Sequence, residues 1–377
     1  MLPPKAVLTG FAITRPRYEI EQAASLDWLA AAHAEAEAAR AGAGFDKAAF
    51  AAKIARVIDH VGCSPSNIGR RGHSLEDMTS TSAWADNDLY DLPVHPHGCG
   101  TAKRTRLYTG IVDDYFKRTY RGETEPPEDL IHVTCTGYAS PSGAQKLVAA
   151  RGWPTRVTHA YHMGCYASVP AVRLAAGAIA MASRRVDIVH TELCSLHLDP
   201  SDHRLEQLVV HSLFADGMVR YSVVPDDGQP GLRLVALHEQ VLPDSADAME
   251  WVVANWGMHM TLARDVPDRV AGALRGFVVE LFRRAALGPA ALQRATWAVH
   301  PGGPRIIDRV REVLELTEAQ VQTSRDVLFD CGNMSSATLP HIWQRMLDDR
   351  AIARGTLIAS LAFGPGLTVC GVLLEKR

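Results

Sequence analysis

From Leu107 onward the chain alternates short β-branched runs with Ala- and Leu-rich segments, and this alternation constrains its architecture more than any other feature. Strands are expected at 131–135, 155–161, 186–191, 218–224, 231–240, 296–299, 326–330, 356–362 and 367–374. Helices are expected near 141–151, 166–183, 203–213, 262–287 and 335–349, with more between 304 and 324. Such a pattern implies α/β layering with mainly parallel sheets. The last two strands, joined through Gly364, Pro365 and Gly366, read as a hairpin. Upstream, residues 5–14 read as a short strand and 26–61 as helical, with an interruption at Gly42–Gly44. Residues 79–107, with Pro93, Pro96, Gly98 and Gly100, are longer than an ordinary connection and read as a functional loop. The best division into halves falls near 230–245, giving units of 1–235 and 236–377.

A chain of 377 residues, 47% hydrophobic and 21% charged, can bury a core without disulfide or metal staples. Its 39 basic and 42 acidic side chains carry no long run of one sign, so general binding to nucleic acid or to an acidic membrane is not expected. Seven cysteines form no CxxC pair, and the first sixteen residues lack a secretory pattern. No apolar run is long enough to span a bilayer. A cytoplasmic protein in a reducing compartment is expected.

Three segments share one layout, a strand, a turn with a reactive or polar residue, and a helix. In RVTHAYHMGCYASVPAVRLA, Cys165 opens a small-residue helix, where the helix dipole and free N–H groups can stabilise a thiolate and an oxyanion. In TWAVHPGGPRIID, His300 ends a strand before a Gly-rich turn. In VLFDCGNMSSATLPHIW, Asn333 sits in the turn before a helix starting near Ser335. Ligands of α/β sheets bind beyond strand C-termini. Convergence there would assemble a nucleophile, a proton handler and an amide donor. Taken singly, each has a plainer account: Cys165 as a packed small hydrophobe, His300 as a structural hydrogen-bonding residue, Asn333 as a helix cap.

The segments MGCYAS, WAVHPGGPRI, CGNMSSAT and FGPGLTV, with LFADG and RDVP, resemble the chalcone-synthase-like (type III) polyketide synthases of the thiolase superfamily, bacterial type. The resemblance runs from about residue 130 to the C-terminus. It implies a five-layer αβαβα fold with two similar halves, a homodimer, and no cofactor or metal beyond coenzyme A thioesters as substrates. It also implies that Cys165 accepts the acyl group while His300 and Asn333 stabilise the thioester oxyanion and enolate. An acyl-CoA or acyl-carrier-protein starter and malonyl-CoA would be the partners. A lowered Cys165 pKa, through an ion pair with His300, is expected.

By the same resemblance Phe214 stands at the junction of acyl tunnel and cavity. Cys135, Cys194 and His197 fall where family members line the cavity with small polar residues. Met258, His259 and Met260 occupy the place of a second cavity aromatic, with Met260 the candidate liner, and Gly366 belongs to the FGPGLTV turn. Lys53 and Arg56, with His60, fall near the basic cluster that holds coenzyme A phosphates; the plain alternative is a solvated helix face. The HPHGC run (His95, His97, Cys99), with His73, has metal-like spacing but no convincing fourth ligand, and no metal is expected. Trp251 and Trp256 read as core or dimer-surface aromatics. Two rival functions keep the fold: a ketosynthase that joins two β-ketoacyl chains into an α-pyrone, and a non-catalytic acyl-binding partner.

Overall fold

The computed structural model describes residues 6–82 and 84–377. Residues 1–5, which open the stretch read as lacking a secretory pattern, and Ala83 in the irregular loop lie outside them. The strands are β1 (Ala6–Thr14), β2 (Tyr18–Glu21), β3 (Arg70–His73), β4 (Asp129–Thr134), β5 (Arg156–Tyr161), β6 (Val186–Leu193), β7 (Asp216–Pro225), β8 (Leu232–Val241), β9 (Met249–Val253), β10 (Met258–Leu262), β11 (Thr296–Val299), β12 (Leu357–Gly364) and β13 (Thr368–Lys376). The helices are α1 (Gln22–Ala41), α2 (Lys47–Val61), α3 (Thr101–Thr119), α4 (Gly143–Arg151), α5 (Ser168–Ala180), α6 (Leu205–Leu213), α7 (Val266–Arg284), α8 (Pro289–Arg294), α9 (Pro304–Leu314), α10 (Glu318–Cys331) and α11 (Thr338–Asp348).

Nine strands form one sheet in the order β11-β12-β13-β8-β1-β7-β6-β4-β5. Its two parts meet at a short seam, where β1 pairs with β8 only through Val7–Arg233 and Leu8–Leu232. The two-residue period of a strand divides the core. Along β12, Ile358 and Ala362 pack with α5 and α11, whereas Ala359, Leu361 and Phe363 face α7, α9 and α10. On the other side of the seam, Ile131 and Val133 of β4 also face α5 and α11, while Leu130 faces α1 and α3. Both parts of the sheet therefore cover the same two central helices, and the layers run helix, sheet, helix, sheet, helix.

Several expectations need correction. Five of the eight pairings in the large sheet are antiparallel, so the sheet is mixed rather than mainly parallel. Long strands β7, β8 and β13 return as antiparallel neighbours, which a strand–helix count cannot reveal. Residues 326–330 are the end of α10, not a strand: a capping box at Thr317 and Gln320 starts the helix, and Val321, Ser324, Val327, Leu328 and Cys331 keep one face buried. The β-branched residues there yield to that face. The irregular stretch ends at Thr101, where α3 begins. The β9–β10 hairpin had no counterpart in the sequence reading. No described helix is long and apolar enough to cross a membrane.

Candidate active site

Cys165 lies in a single 3-10 turn, Gly164–Tyr166, that runs directly into α5. Gly164 has φ +78°, and a Cβ there would meet Pro365 Cδ at 2.9 Å, so this turn requires glycine. Cys165 is buried, with its Sγ 3.8 Å from Ser335 Oγ. His300 follows β11 and is held by its own N–H, which donates to Leu361 O of β12 at 2.8 Å. β12 ends at Gly364, where a Cβ would come within 3.6 Å of the Cys165 backbone nitrogen. The nucleophile turn and His300 thus belong to the same end of the sheet, although His300 comes from the second part of the chain.

Asn333 is fixed by backbone. Its N–H donates to Leu213 O at 3.0 Å, and its C=O accepts from Ala215 N–H at 2.8 Å. The LFADG and CGNMSS segments are therefore bonded to each other around Phe214. Gly332, at φ +71°, makes this approach possible, since a Cβ would meet Arg71 Cγ at 3.0 Å. The Asn333 amide is divided between two tasks. Its Oδ1 accepts the Ser335 N–H at 2.9 Å, a cap of the turn before α11, and its Nδ2 is buried without a partner among the described residues. Both ring nitrogens of His300 are likewise buried and unpartnered. A buried donor left unpaired destabilises the fold unless something else satisfies it, so such atoms mark where a ligand oxygen fits.

Burial pushes the Cys165 thiol up to about 12, an effect only partly offset by the neighbouring Ser335 hydroxyl. Burial pushes His300 down to about 3. Burial thus works against the expected thiolate–imidazolium pair, since desolvation penalises the charged form of each group.

Cys165 shares a cavity with Cys135, Cys194, His197, Phe214 and Met260. Gly366 does not line it; Pro365, its neighbour, does. Lys53 and Arg56 stand on the exposed face of α2, away from the cavity, with His60 also exposed. Three contributors escaped the sequence reading. Glu192, fully buried, accepts from Cys135 N–H at 3.0 Å, from Thr136 Oγ1 at 3.0 Å and from Ser336 Oγ, and burial pushes its carboxyl up. An acid at the end of the β-branched run VDIVHTEL was the available signal. Ser335 joins Cys165 to Cys135, whose Sγ is 3.1 Å from the same hydroxyl. Trp251, read as core or dimer surface, lines the cavity and donates from Nε1 to Cys135 O at 2.6 Å. His97, in the HPHGC run, bonds to Asp199 and Ser201 at 2.9 and 2.8 Å.

Eight buried histidines bear on stability. Burial lowers His132, His190, His197 and His300 to about 3 and His211 and His341 to about 4, and it holds His33 and His73 well below the usual value. Below about pH 6.5 the unfolded chain binds protons that the folded chain refuses, so their contribution, complete above 6.5, is lost as pH falls. Each histidine forfeits on the order of 1 kcal/mol per pH unit. Buried Glu192 and Asp216, pushed up, act with the opposite sign, but they are two against eight. Thermal melts between pH 7 and 4.5 should show the melting temperature falling steeply below 6.5. A flat profile over that range would contradict neutral burial of these rings.

An α/β protein with a buried thiol, imidazole and amide at one sheet end is built for acyl transfer. Residues 233–376 match the chalcone and stilbene synthase C-terminal domain. Type III polyketide synthase A of Arabidopsis thaliana is 30% identical over 264 residues, 67% of each chain, and type III polyketide synthase C of the same plant is 30% identical over 258 residues, covering 66% of this chain and 67% of the relative. The fold matches PKS-I of the brown alga Ectocarpus siliculosus over 100% of both chains, with a TM-score of 0.84 at 22% identity. It also matches the 1,3,6,8-tetrahydroxynaphthalene synthase of Streptomyces coelicolor A3(2) over 98% of this chain and 99% of that one, with a TM-score of 0.76 at 23% identity. The chain belongs to the type III polyketide synthase family and has its thiolase-like fold. It is an acyltransferase of the polyketide-forming kind.

Proposed function

We propose that Cys165, His300 and Asn333 are the catalytic residues, that an acyl thioester loads onto Cys165, and that malonyl thioesters extend it. The observation that carries this reading is the set of buried, unpartnered polar atoms, both His300 nitrogens and Asn333 Nδ2, in the elements that end around the Cys165 turn. With thiol and imidazole both neutral, His300 acts as a general base. As Cys165 Sγ bonds to the acyl carbon, its proton moves to a His300 ring nitrogen and the bond to the coenzyme A sulfur breaks. The departing thiolate takes the proton back. In the next step the malonyl carboxylate leaves as carbon dioxide, and the electron pair forms an enolate. Asn333 Nδ2–H and His300 donate to its oxygen. The enolate carbon then attacks the Cys165 thioester, forming the new carbon–carbon bond and releasing the Cys165 thiolate.

Phe214, Cys135, Cys194, His197 and Met260 would surround the growing chain, and cyclisation would release a pyrone or phenol. Gly366 acts in this scheme only by shaping the turn that presents Pro365. No cofactor or metal is invoked. Lys53 and Arg56 are exposed and without ion pairs among the described residues, which suits coenzyme A phosphates or an acidic carrier. Reversing both charges should raise KM for coenzyme A thioesters severalfold and spare kcat; an unchanged KM assigns them to a solvated face. β5 is an edge strand with Arg156, Thr158 and His159 exposed, and Leu174 of α5 and Met181 just after it are exposed too. An open edge beside apolar side chains favours a homodimer, which sedimentation should report at about twice 41.0 kDa. A monomer at micromolar concentration would contradict it. The seven cysteines are unpaired, in keeping with a reducing compartment such as the cytoplasm. The deciding experiment incubates the protein with an acyl-CoA, with and without malonyl-CoA, and follows acyl adducts and products by mass spectrometry. Malonyl-dependent product supports the reading, whereas product from β-ketoacyl thioesters alone would replace it with the chain-joining ketosynthase. No adduct and no product would leave an acyl-binding partner.

A further inference from the structure

The β9–β10 hairpin supplies Met249, Trp251 and Met260 to the cavity wall, yet it pairs with no other strand. A two-stranded hairpin has little stability of its own. Its outer side is bare, with Val252 47% and Val253 58% exposed, so inward ties must hold it. Near the cavity these are Trp251 to Cys135 O, Gln207 Nε2 to Met260 O at 2.6 Å, and Met258 N–H to His197 Nδ1 at 3.1 Å. The last fixes the His197 tautomer: Nδ1 accepts, so Nε2 carries the proton and donates to Thr136 O at 2.8 Å.

At the tip the ties come from the irregular segment that ends at α3. Thr101 Oγ1 donates to Ala254 O at 2.8 Å, and Thr101 N–H to Asn255 O at 3.1 Å. Arg104 is 1% exposed and has no carboxylate partner among the described residues. Its guanidinium donates to the carbonyls of His97, Cys99 (2.9 Å), Leu196 and Leu198 (3.5 Å). It also lies 5.1 Å from the centre of the Trp256 ring, at the hairpin tip, and 5.7 Å from that of Tyr90. Two glycines make room for it: a Cβ on Gly257 would sit 3.0 Å from Arg104 Cδ, and one on Gly98, at φ +74°, 2.8 Å from Arg104 Nη2. The HPHGC run is thus a socket for a cation of the chain itself.

We infer that Arg104 is the positioning residue that bolts the β9–β10 hairpin to the 194–198 segment, and that this bolt sets the length of acyl chain the cavity accepts. The reason is geometric. One planar fork spans the carbonyls on both sides of the 95–104 turn and of the segment carrying His197, while its face carries the tip Trp256. A lysine ammonium keeps the charge but can neither span these carbonyls nor stack on two rings. The inference rests on the reading of the Cys165 cavity as the acyl site.

The test compares wild type, Arg104→Lys and Thr101→Val by hydrogen exchange and by starter selectivity across acyl-CoA chains of graded length. In Arg104→Lys, exchange across 249–262 should quicken at least tenfold while β12 and β13 stay protected. Acylation of Cys165 by a short starter should remain within threefold of wild type, and the ratio of kcat/KM for long over short starters should shift by tenfold or more. Thr101→Val, which removes only the hydroxyl ties at the tip, should move both readouts in the same direction by about threefold, and it decides the matter if Arg104→Lys does not fold. Unaltered hairpin exchange, exchange quickened equally throughout the protein, or unaltered selectivity each overturns the inference. Wild-type protein that never acylates Cys165 overturns the acyl-site reading and the selectivity with it, whereas the exchange pattern still shows whether Arg104 holds the hairpin.

Discussion

Replacing Cys165 with alanine should abolish both the acyl-enzyme and the product, a fall of at least about a thousandfold, because Cys165 is the cavity thiol set in the turn that opens α5. The prediction is demanding because Cys135 and Cys194 line the same cavity. Geometry alone would let either take the acyl group. Electrostatics separates them by degree: burial and the Glu192 carboxyl, 3.5 Å from Cys135 Sγ, raise all three thiols, and they carry Cys135 and Cys194 well above the ordinary thiol value. Cys165 differs in sitting in the turn that runs directly into α5, with the helix N-terminus beneath it. Peptide mapping of the variant after incubation with acyl-CoA checks the claim. An adduct on Cys135 or Cys194 together with continued turnover would remove Cys165 from the nucleophile role.

The Asn333→Asp variant should load Cys165 within about tenfold of wild type but lose malonyl decarboxylation by a hundredfold or more. The substitution separates the two tasks of the side chain. Aspartate can still accept the Ser335 N–H, so the cap at α11 survives. The Nδ2 donor is lost, and a negative charge appears where enolate charge develops. One such donor contributes on the order of 3 kcal/mol, about a hundredfold in rate, and repulsion enlarges the loss. Loading depends mainly on Cys165 and His300. Intact-protein mass spectrometry reads the first step and carbon dioxide release the second. Normal values of both would reduce Asn333 to a helix cap. Condensation without decarboxylation in wild type and variant alike would favour the chain-joining reaction.

Local chemistry was legible in the sequence because local geometry creates it. Gly164 before Cys165, the Gly-rich turn after His300 and Gly332 before Asn333 each announce a turn with a functional side chain, and each takes the side chain to a strand end or a helix start. The α/β layering followed from alternating periods, and the family from motifs spread over some 240 residues. Pairing direction was not legible, since β7, β8 and β13 look alike whichever neighbour they meet. Nor was the α10 helix over 326–330, where a buried face outweighed β-branched residues.

What the sequence determined by itself was the inventory and its local presentation: a thiol at a helix start, an imidazole at a strand end, an amide in a turn. Tertiary structure alone decided their ionisation. A helix N-terminus taken alone argues for a thiolate, but burial in the packed fold disfavours the charged form of Cys165 and of His300 alike. It also decided that Glu192 and Trp251 belong to the site, since their partners Thr136 and Cys135 lie more than fifty residues away. Burial and long-range hydrogen bonds are properties of the packed chain, and no short segment carries them.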